Sequence, residues 1–273
     1  MLILAGTPIG NIGDASARLI ETLQQATAIA AEDTRSLLKL ANHLGIKLSA
    51  ELISLNEQNE LQKLDRLVEI AKTENLVLVS DAGMPTISDP GFALVRACSE
   101  HSVEIQVVPG PSSVIAALAV SGLATDRFSF EGFIPRKSGE RRKFFQQLVL
   151  ESRTMIFFES PHRVTESLED AAAIFGLDRK ASLSRELTKK FEQTLRGTLA
   201  ELAENAKELK GEMVLVVAGA EQIPASPEAL VEKVLELRAA GSSLKDAARQ
   251  VASEHGASTS ELYDLALKIN AST

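Results

Sequence analysis

The sequence is short of the residues that make crosslinks, metal clusters and aromatic cores. Cys98 is the single cysteine among 273 residues, which excludes an internal disulfide and any cysteine-rich metal site. It also fits a reducing compartment, so a cytoplasmic location is expected. Tryptophan is absent and aromatic residues make up only 4%. The core must come from Leu, Val, Ile and Ala, which suits α/β folds whose buried parallel strands read as aliphatic runs. No stretch reaches the roughly 20 apolar residues of a membrane span, so no membrane partner is expected. The opening Met1-Leu2-Ile3-Leu4-Ala5-Gly6 lacks the basic leader and long apolar run of a signal peptide. Positive charge is in deficit as well: 29 Lys and Arg stand against 37 Asp and Glu, a net −8. That balance argues against a generally basic nucleic-acid coat and leaves only local patches for such contacts.

What is present is ordinary globular material, 45% hydrophobic and 24% charged, in a chain long enough for two domains and an appendage. No internal repeat or low-complexity tract interrupts it. Short aliphatic runs at 2–5, 27–31, 51–55, 76–80 and 103–108 read as strands. Between and after them, 15–25, 35–43, 60–72, 91–100 and 112–121 read as amphipathic helices. This alternation predicts a parallel sheet with right-handed crossovers over residues 1–124. After the break at Gly122-Leu123-Ala124-Thr125-Asp126, strands at 128–133, 154–158, 181–185 and 213–218 intermix with helices at 140–150, 164–175 and 199–209. They predict a second α/β domain with a mixed sheet over 125–222. Ile223-Pro224-Ala225-Ser226-Pro227 reads as a linker. An all-helical segment over 223–273 follows, where 244–255, a Gly256 turn and 259–269 have helix-turn-helix spacing. From Pro224 onward, five basic residues face seven acids, so protein packing and RNA binding are both open for this segment.

Four loops carry candidate chemistry. Gly6-Thr7-Pro8-Ile9-Gly10-Asn11-Ile12-Gly13 follows the first strand. Such a turn lets backbone approach a ligand closely, yet it is neither G-x-G-x-x-G nor a phosphate loop, and a tight structural turn is the competing reading. Glu32-Asp33-Thr34-Arg35 ends the second strand, where an acid could hold a ribose hydroxyl, handle a proton, or merely cap the next helix. Ser80-Asp81-Ala82-Gly83-Met84-Pro85-Thr86-Ile87-Ser88-Asp89-Pro90-Gly91 is the richest loop, fixed in shape by prolines and glycines and decorated with acids and hydroxyls. Val107-Val108-Pro109-Gly110-Pro111-Ser112-Ser113 brings a helix N-terminus to the same sheet edge, where a ligand carboxylate would be stabilised. Three constrained loops converging on one edge point to a small-molecule pocket more strongly than any one alone. In the second half, His162 reads more simply as a surface or capping histidine than as a catalyst. No metal-ligand spacing and no G-x-S-x-G nucleophile occurs. The stretch Arg136-Lys137-Ser138-Gly139-Glu140-Arg141-Arg142-Lys143 sets five bases against one acid, either a solvated loop entering a helix or a phosphate-tracking patch.

Taken in order, Thr7-Pro8-Ile9-Gly10-Asn11, Glu32-Asp33-Thr34-Arg35, Ser80-Asp81-Ala82-Gly83 with Pro85, Ser88-Asp89-Pro90-Gly91, Pro109-Gly110-Pro111, Glu131-Gly132-Phe133 with Pro135, Glu159-Ser160-Pro161-His162-Arg163 and Arg185-Glu186-Leu187-Thr188-Lys189 closely resemble the ribosomal RNA small subunit methyltransferase I branch of the tetrapyrrole methylase superfamily. The match spans nearly the whole chain. The resemblance implies two α/β domains enclosing S-adenosylmethionine in the cleft between them, no metal, and a homodimer. It also implies methylation of the ribose 2′-hydroxyl of a cytidine in the decoding region of 16S rRNA, within the small ribosomal subunit. Matched motif by motif, the cofactor would meet Pro8, Asp81, Met84, Ser112, Ser113, Phe157, Leu187 and Met213. For the chemistry, Glu32 is expected as proton acceptor, Arg35 as a phosphate or acid-orienting partner, and Lys189 near the developing oxyanion. Arg136, Lys137, Arg141, Arg142 and Lys143 are expected on RNA. Two positions depart from the family pattern: Met84 stands where Thr is common, and no histidine precedes the Asn56-Glu57 pair. A tetrapyrrole-type small-molecule methylase and a non-catalytic rRNA-binding assembly factor are the competing functions.

Overall fold

Strand and helix alternate through the first half, as β1 (Leu2–Ala5), α1 (Ala17–Gln25), β2 (Ala28–Ala31), α2 (Thr34–His43), β3 (Glu51–Ser54), α3 (Glu60–Thr73), β4 (Leu76–Val79), α4 (Phe92–Glu100), β5 (Ile105–Val108) and α5 (Ser113–Ser121). The computed structural model describes residues 1–207, 209–221, 227–255 and 257–270. The five strands form one wholly parallel sheet in the order β3-β2-β4-β1-β5. Side-chain alternation along the central strands builds a core on each face. Ala28, Ala30, Leu76 and Leu78 pack with Leu67, Ala71, Leu94 and Cys98 of α3 and α4. Ile29, Ala31, Val77 and Val79 pack with Leu19, Leu23 and Leu37 of α1 and α2. Local capping agrees with the layering: Ser16 Oγ accepts from Leu19 N, and Asp33 from Arg35 N.

The second sheet is mixed. β6 (Phe128–Phe133), α6 (Ser138–Gln147), β7 (Thr154–Glu159), α7 (Val164–Phe175), β8 (Lys180–Arg185), β9 (Gln193–Thr198), α8 (Leu199–Asn205) and β10 (Met213–Val217) follow in sequence. The strand order is β6-β7-β10-β8-β9, with β6 and β7 parallel and the remaining pairs antiparallel. The sequence pattern misses β9. Gln193-Thr194-Leu195-Arg196-Gly197-Thr198 is largely polar and carries a glycine, and it becomes a strand because β8 supplies a full antiparallel ladder. One face of this sheet packs on α6, α7 and α8. The other face receives α5, whose Val114, Ala117 and Leu118 meet Ile156, Val214 and Val216. A helix that leaves the first sheet thus seats on the second.

Both sheets lie in one compact unit, Met1–Ala220; Glu221–Thr273 forms another. The second unit has three helices, α9 (Pro227–Ala239), α10 (Leu244–His255) and α11 (Thr259–Asn270). They share a core of Leu230, Val231, Val234, Ala247, Ala248, Val251, Leu262 and Ala266. The α10–α11 pair was legible in the sequence. α9, opening on Pro227 where its missing N–H costs nothing, adds the third helix that closes their core. Residues 223–226 of the expected linker and the Gly256 turn lie outside the described residues. Among the described residues no helix is long and apolar enough to cross a membrane.

The basic stretch requires a correction. Arg141 lies in α6 with its side chain only 2% exposed, Nε 2.7 Å from Asp170 and Nη2 3.5 Å from Glu166, both on α7. Arg142 reaches Asp170 at 3.5 Å, and Ser138 Oγ donates to the same carboxylate at 3.1 Å. Arg141 therefore pins α6 to α7, and its guanidinium is not on offer to RNA phosphates. Arg136, Lys137, Arg142 and Lys143 remain exposed. Arg141→Ala, which leaves Asp170 buried without its main partner, should lose about 3–5 kcal/mol of stability, whereas Arg142→Ala at the rim should lose no more than about 1 kcal/mol. Urea midpoints measured at unchanged m-value would test the difference.

Candidate active site

The carboxyl ends of β1, β4 and β5 are locked together by backbone. Gly6, just after β1, lies so close to Gly110, just after β5, that a Cβ on either would come within 2.7 Å of the other's backbone. Thr7 is buried and forms an isolated antiparallel bridge with Gly83 of the β4–α4 loop, N–H to carbonyl at 2.9 and 3.1 Å. Within that loop Thr86 and Ser88 take left-handed backbone, φ 77° and 62°. Each such residue costs of order 1–3 kcal/mol and persists only where its surroundings impose it. Glu60 of α3 fixes the end of the loop, since its Oε1 accepts from Gly91 N and Leu94 N at 3.1 and 3.2 Å and so caps α4.

The second lobe closes the other side. Leu187 and Ile9 join the apolar layer between α5 and the second sheet. Gly10 lies against Lys189, whose Cγ would be 2.4 Å from a Cβ there, so a side chain at position 10 would force the two loops apart. Glu186 and Thr188 again take left-handed backbone, φ 48° and 66°. Phe130 and Phe133 stack edge-on against Phe158, with centroids 4.8 and 5.2 Å apart. The result is a cavity of ≈ 460 Å³ between the lobes, within the ~300–1,000 Å³ of small-ligand sites.

The cavity has an acidic floor. Glu32 Oε2 accepts from Asp81 N at 3.3 Å, and Asp81 in turn accepts from Asp33 N at 3.2 Å and Ser36 Oγ at 3.4 Å. Burial raises the Glu32 pKa, and the charges of Asp81, Glu57 and Asp33 add to it against the opposing Asp81 N–H. Burial, reinforced by Glu32 and Asp81, pushes Asp89 up to about 6 despite a hydrogen bond from Ser80. Apolar walls come from Ile9, Met84, Leu187, Met213, Val214 and Phe158. Ser112 caps α5 without a side-chain hydrogen bond to the helix, and with Ser113 it lines the cavity.

Of the expected cofactor contacts, Asp81, Met84, Ser112, Ser113, Leu187 and Met213 line this cavity, and so does Glu32. Phe157 does not: strand alternation turns its side chain into the core with Phe145 and Leu183, and the adjacent Phe158 faces the cavity instead. Pro8 lines a neighbouring groove. Arg35 is 85% exposed and forks onto Asp33, Nε at 3.0 Å and Nη2 at 2.7 Å, which holds Asp33 down to about 2. It therefore orients Asp33 rather than Glu32. Lys189 lines the neighbouring groove rather than the cavity, with Nζ 2.8 Å from Glu212 and 3.2 Å from Glu186. Burial works against its charge, but those carboxylates hold its pKa above the usual lysine value. Glu159, at the head of the Glu-Ser-Pro-His-Arg motif, has its carboxylate taken by Ser160 N, Arg163 and Ser167, so much of that motif shapes the entry to α7. Sequence reading passed over Asp89, Phe133, Phe158 and Glu212. Asp89 and Phe133 stood within quoted motifs, but no spacing singled them out. Among the described residues no cluster of three or more His, Cys, Asp or Glu side chains is arranged to hold a metal ion.

Comparison with known proteins agrees with this architecture. Residues 1–203 match the family model of Tetrapyrrole (Corrin/Porphyrin) Methylases, and residues 224–270 match that of the RsmI C-terminal HTH domain. The chain is 44% identical over 270 residues, 98% of its length and 94% of the relative's, to the Ribosomal RNA small subunit methyltransferase I of Mycobacterium tuberculosis (strain CDC 1551 / Oshkosh). It is 43% identical to the protein of the same name from Synechocystis sp., covering 99% of each. Among solved structures, the methyltransferase CobJ superposes with a TM-score of 0.60 at 20% identity, covering 80% of this chain and 94% of that one. Uroporphyrin-III C-methyl transferase from Thermus thermophilus, complexed with S-adenyl homocysteine, superposes at 0.53 with 18% identity, covering 80% and 96%; at such identities these two speak to fold alone. With the family model matching residues 1–203 and near full-length relatives at 43–44% identity in agreement, the chain belongs to the tetrapyrrole methylase family, in its ribosomal RNA small subunit methyltransferase I branch.

Proposed function

We propose that this protein methylates the ribose 2′-hydroxyl of a cytidine in the decoding region of 16S ribosomal RNA, with S-adenosylmethionine as donor. One observation carries the reading: a cavity of ≈ 460 Å³ fed by loops of both lobes, with apolar walls and a carboxylate floor. The chemistry of that donor set fits the cofactor. Asp81 and Asp89 would offset the positive charge of the sulfonium and the amino group. The start of α5 at Ser112 and Ser113 would receive the carboxylate. Ile9, Met84, Leu187 and Met213 would cover apolar faces of the molecule. When bound, S-adenosylmethionine supplies a methyl group already activated for in-line displacement.

The protein's task is then alignment and proton handling. Holding the 2′-oxygen in line can supply about 7–11 kcal/mol in favourable cases. Glu32 is the proton acceptor in this reading, because its carboxylate lies at the cavity floor with its basicity raised by burial. Lys189, kept cationic by Glu186 and Glu212, would meet the developing oxygen charge from the adjoining groove. Arg35 holds Asp33 and offers its exposed edge to a phosphate. Arg136, Lys137, Arg142 and Lys143 provide further phosphate contacts. In this division residues 1–124 and 125–222 enclose the donor, while 223–273 serve RNA or protein contacts. Near full-length relatives from three organisms carry the rRNA name, which favours RNA over a tetrapyrrole substrate; a purely structural assembly factor would have no use for the cavity. Action on the small subunit in the cytoplasm, as a homodimer, completes the proposal, with exposed Val107, Ile115 and Val120 available as apolar contact surface.

Purified protein should transfer label from S-adenosylmethionine to unmethylated small ribosomal subunits, and the label should map to one cytidine ribose; label on base atoms or none at all would refute the assignment. Glu32→Gln should lower kcat by about 10²–10⁴-fold while donor affinity, read by calorimetry, changes far less. Asp89 yields a pH prediction. Its folded pKa of about 6 lies above the 3.8 of an ordinary aspartate, so its neutral form favours the fold and that contribution fades as pH rises through about 6. Asp89→Asn should therefore melt higher than the parent near pH 8 and equally near pH 4, yet bind the cationic donor more weakly at the higher pH. Equal melting at both pH values would show that Asp89 is not held in this way.

A further inference from the structure

Beside the cavity runs a second, more open groove of ≈ 680 Å³, lined by Pro8, Asn11, Leu40, His43, Lys189 and Lys190. A hollow of only ≈ 40 Å³ lies between them, sharing Pro8 and Leu40 with the groove and Asp81 with the cavity. We propose that this groove, between α2 and the loop that follows β8, seats the single-stranded RNA segment that delivers the reacting nucleotide. The proposal deepens the RNA reading above and rests on it.

Charge supplies the first argument. In a chain of net −8, α2 has no acidic residue, and Arg35, Lys39 and His43 recur at i, i+4 and i+8 along one stripe. Most of the acids nearby are already paired with cations. Asp33 holds Arg35, and Glu186 and Glu212 hold Lys189, while Glu192 accepts only from Thr188 N and keeps its charge. Lys39, next to the groove-lining Leu40, and Lys190, on the facing loop, have no ion pair among the described residues and are exposed, which leaves an unpaired cation on each side of the groove. The second argument is apolar. Phe191 is 63% exposed, with the Lys190 ammonium 5.6 Å from its ring centroid. An exposed ring beside a cation is a platform for an unpaired base, and bases stack on such rings without sequence preference. Cations for phosphates and a ring for a splayed base are what single-stranded RNA requires. Adjacency gives the third argument, because Lys189 of the groove holds Glu212 of the cavity lining, so a strand lying here would run along the cavity's edge.

Anisotropy of a fluorescein-labelled single-stranded RNA oligonucleotide, measured over a salt series, tests this, alongside S-adenosylhomocysteine affinity as a control for the cavity. Lys39→Glu with Lys190→Glu should weaken RNA binding at least about tenfold and lower the salt slope by about 0.7 for each phosphate that is no longer neutralised. Phe191→Ala should weaken it by about tenfold with the salt slope unchanged. Affinity for S-adenosylhomocysteine should stay the same in all of them. Should charge reversal unfold the chain, Lys39→Gln with Lys190→Gln is the milder substitute. Parent-like RNA affinity and salt slope in these variants would overturn the groove assignment while leaving the RNA reading intact. A parent protein that binds S-adenosylhomocysteine but neither binds RNA nor modifies small subunits would sink both.

Discussion

The arrangement hangs on the seating of α5 against the second sheet. The chain leaves β5, at one edge of the parallel sheet, and immediately buries Val114, Ala117 and Leu118 against Ile156, Val214 and Val216 of the other. Ile9 from the first loop and Leu187 from the second lobe complete the same layer. The Arg196 guanidinium, 2.9 Å from the Val120 carbonyl through Nε, ties the C-terminal end of the helix to β9. Because this layer is apolar and close-packed, it admits little adjustment. The gap between the loops of the two lobes follows from it, and so does the position of every side chain lining the cavity.

That rigidity has an electrostatic consequence. Glu32, Asp81 and Asp89 are held near one another at the cavity floor by backbone donors and left-handed turns, not by neutralising cations. The nearby arginine is spent on Asp33, and the nearby lysine on Glu186 and Glu212. A fold optimised for stability alone would not leave like charges in a half-buried hollow. Sites that do so store unfavourable energy that a cationic ligand relieves. The reading of the cavity as a place for a sulfonium follows from this imbalance together with the family.

Where the site was legible in the sequence, it was legible through loops. The glycines and prolines after β1, β4 and β5 marked the ligand edge of the sheet, because only such residues permit the close approach of Gly6 to Gly110 and the turn at Gly83. The acids at 32 and 81 were legible for a similar reason, standing at strand ends where α/β sheets bind ligands. The basic run at 136–143 misled at one position, Arg141. Five cations within eight residues look alike on paper, yet the helix places Arg141 inside, against Asp170, and leaves its neighbours outside. Phe157 and Phe158 differ in the same way, by the half-turn of a strand.

The sequence by itself therefore determined the alternation of strands and helices, the aliphatic cores of both sheets and the edge at which ligands would gather. Those properties are local, set by periodicity, capping and turn chemistry within a few residues of each position. Tertiary structure alone decided that α5 crosses to the second sheet, that Gln193–Thr198 becomes an edge strand, and that Asp89 joins Glu32 and Asp81 at the cavity floor. It alone set the acid-free stripe of α2 opposite Lys190 and Phe191. Each of these depends on which distant segments come within a few ångströms, and burial, pairing and charge coupling act through space, not along the chain.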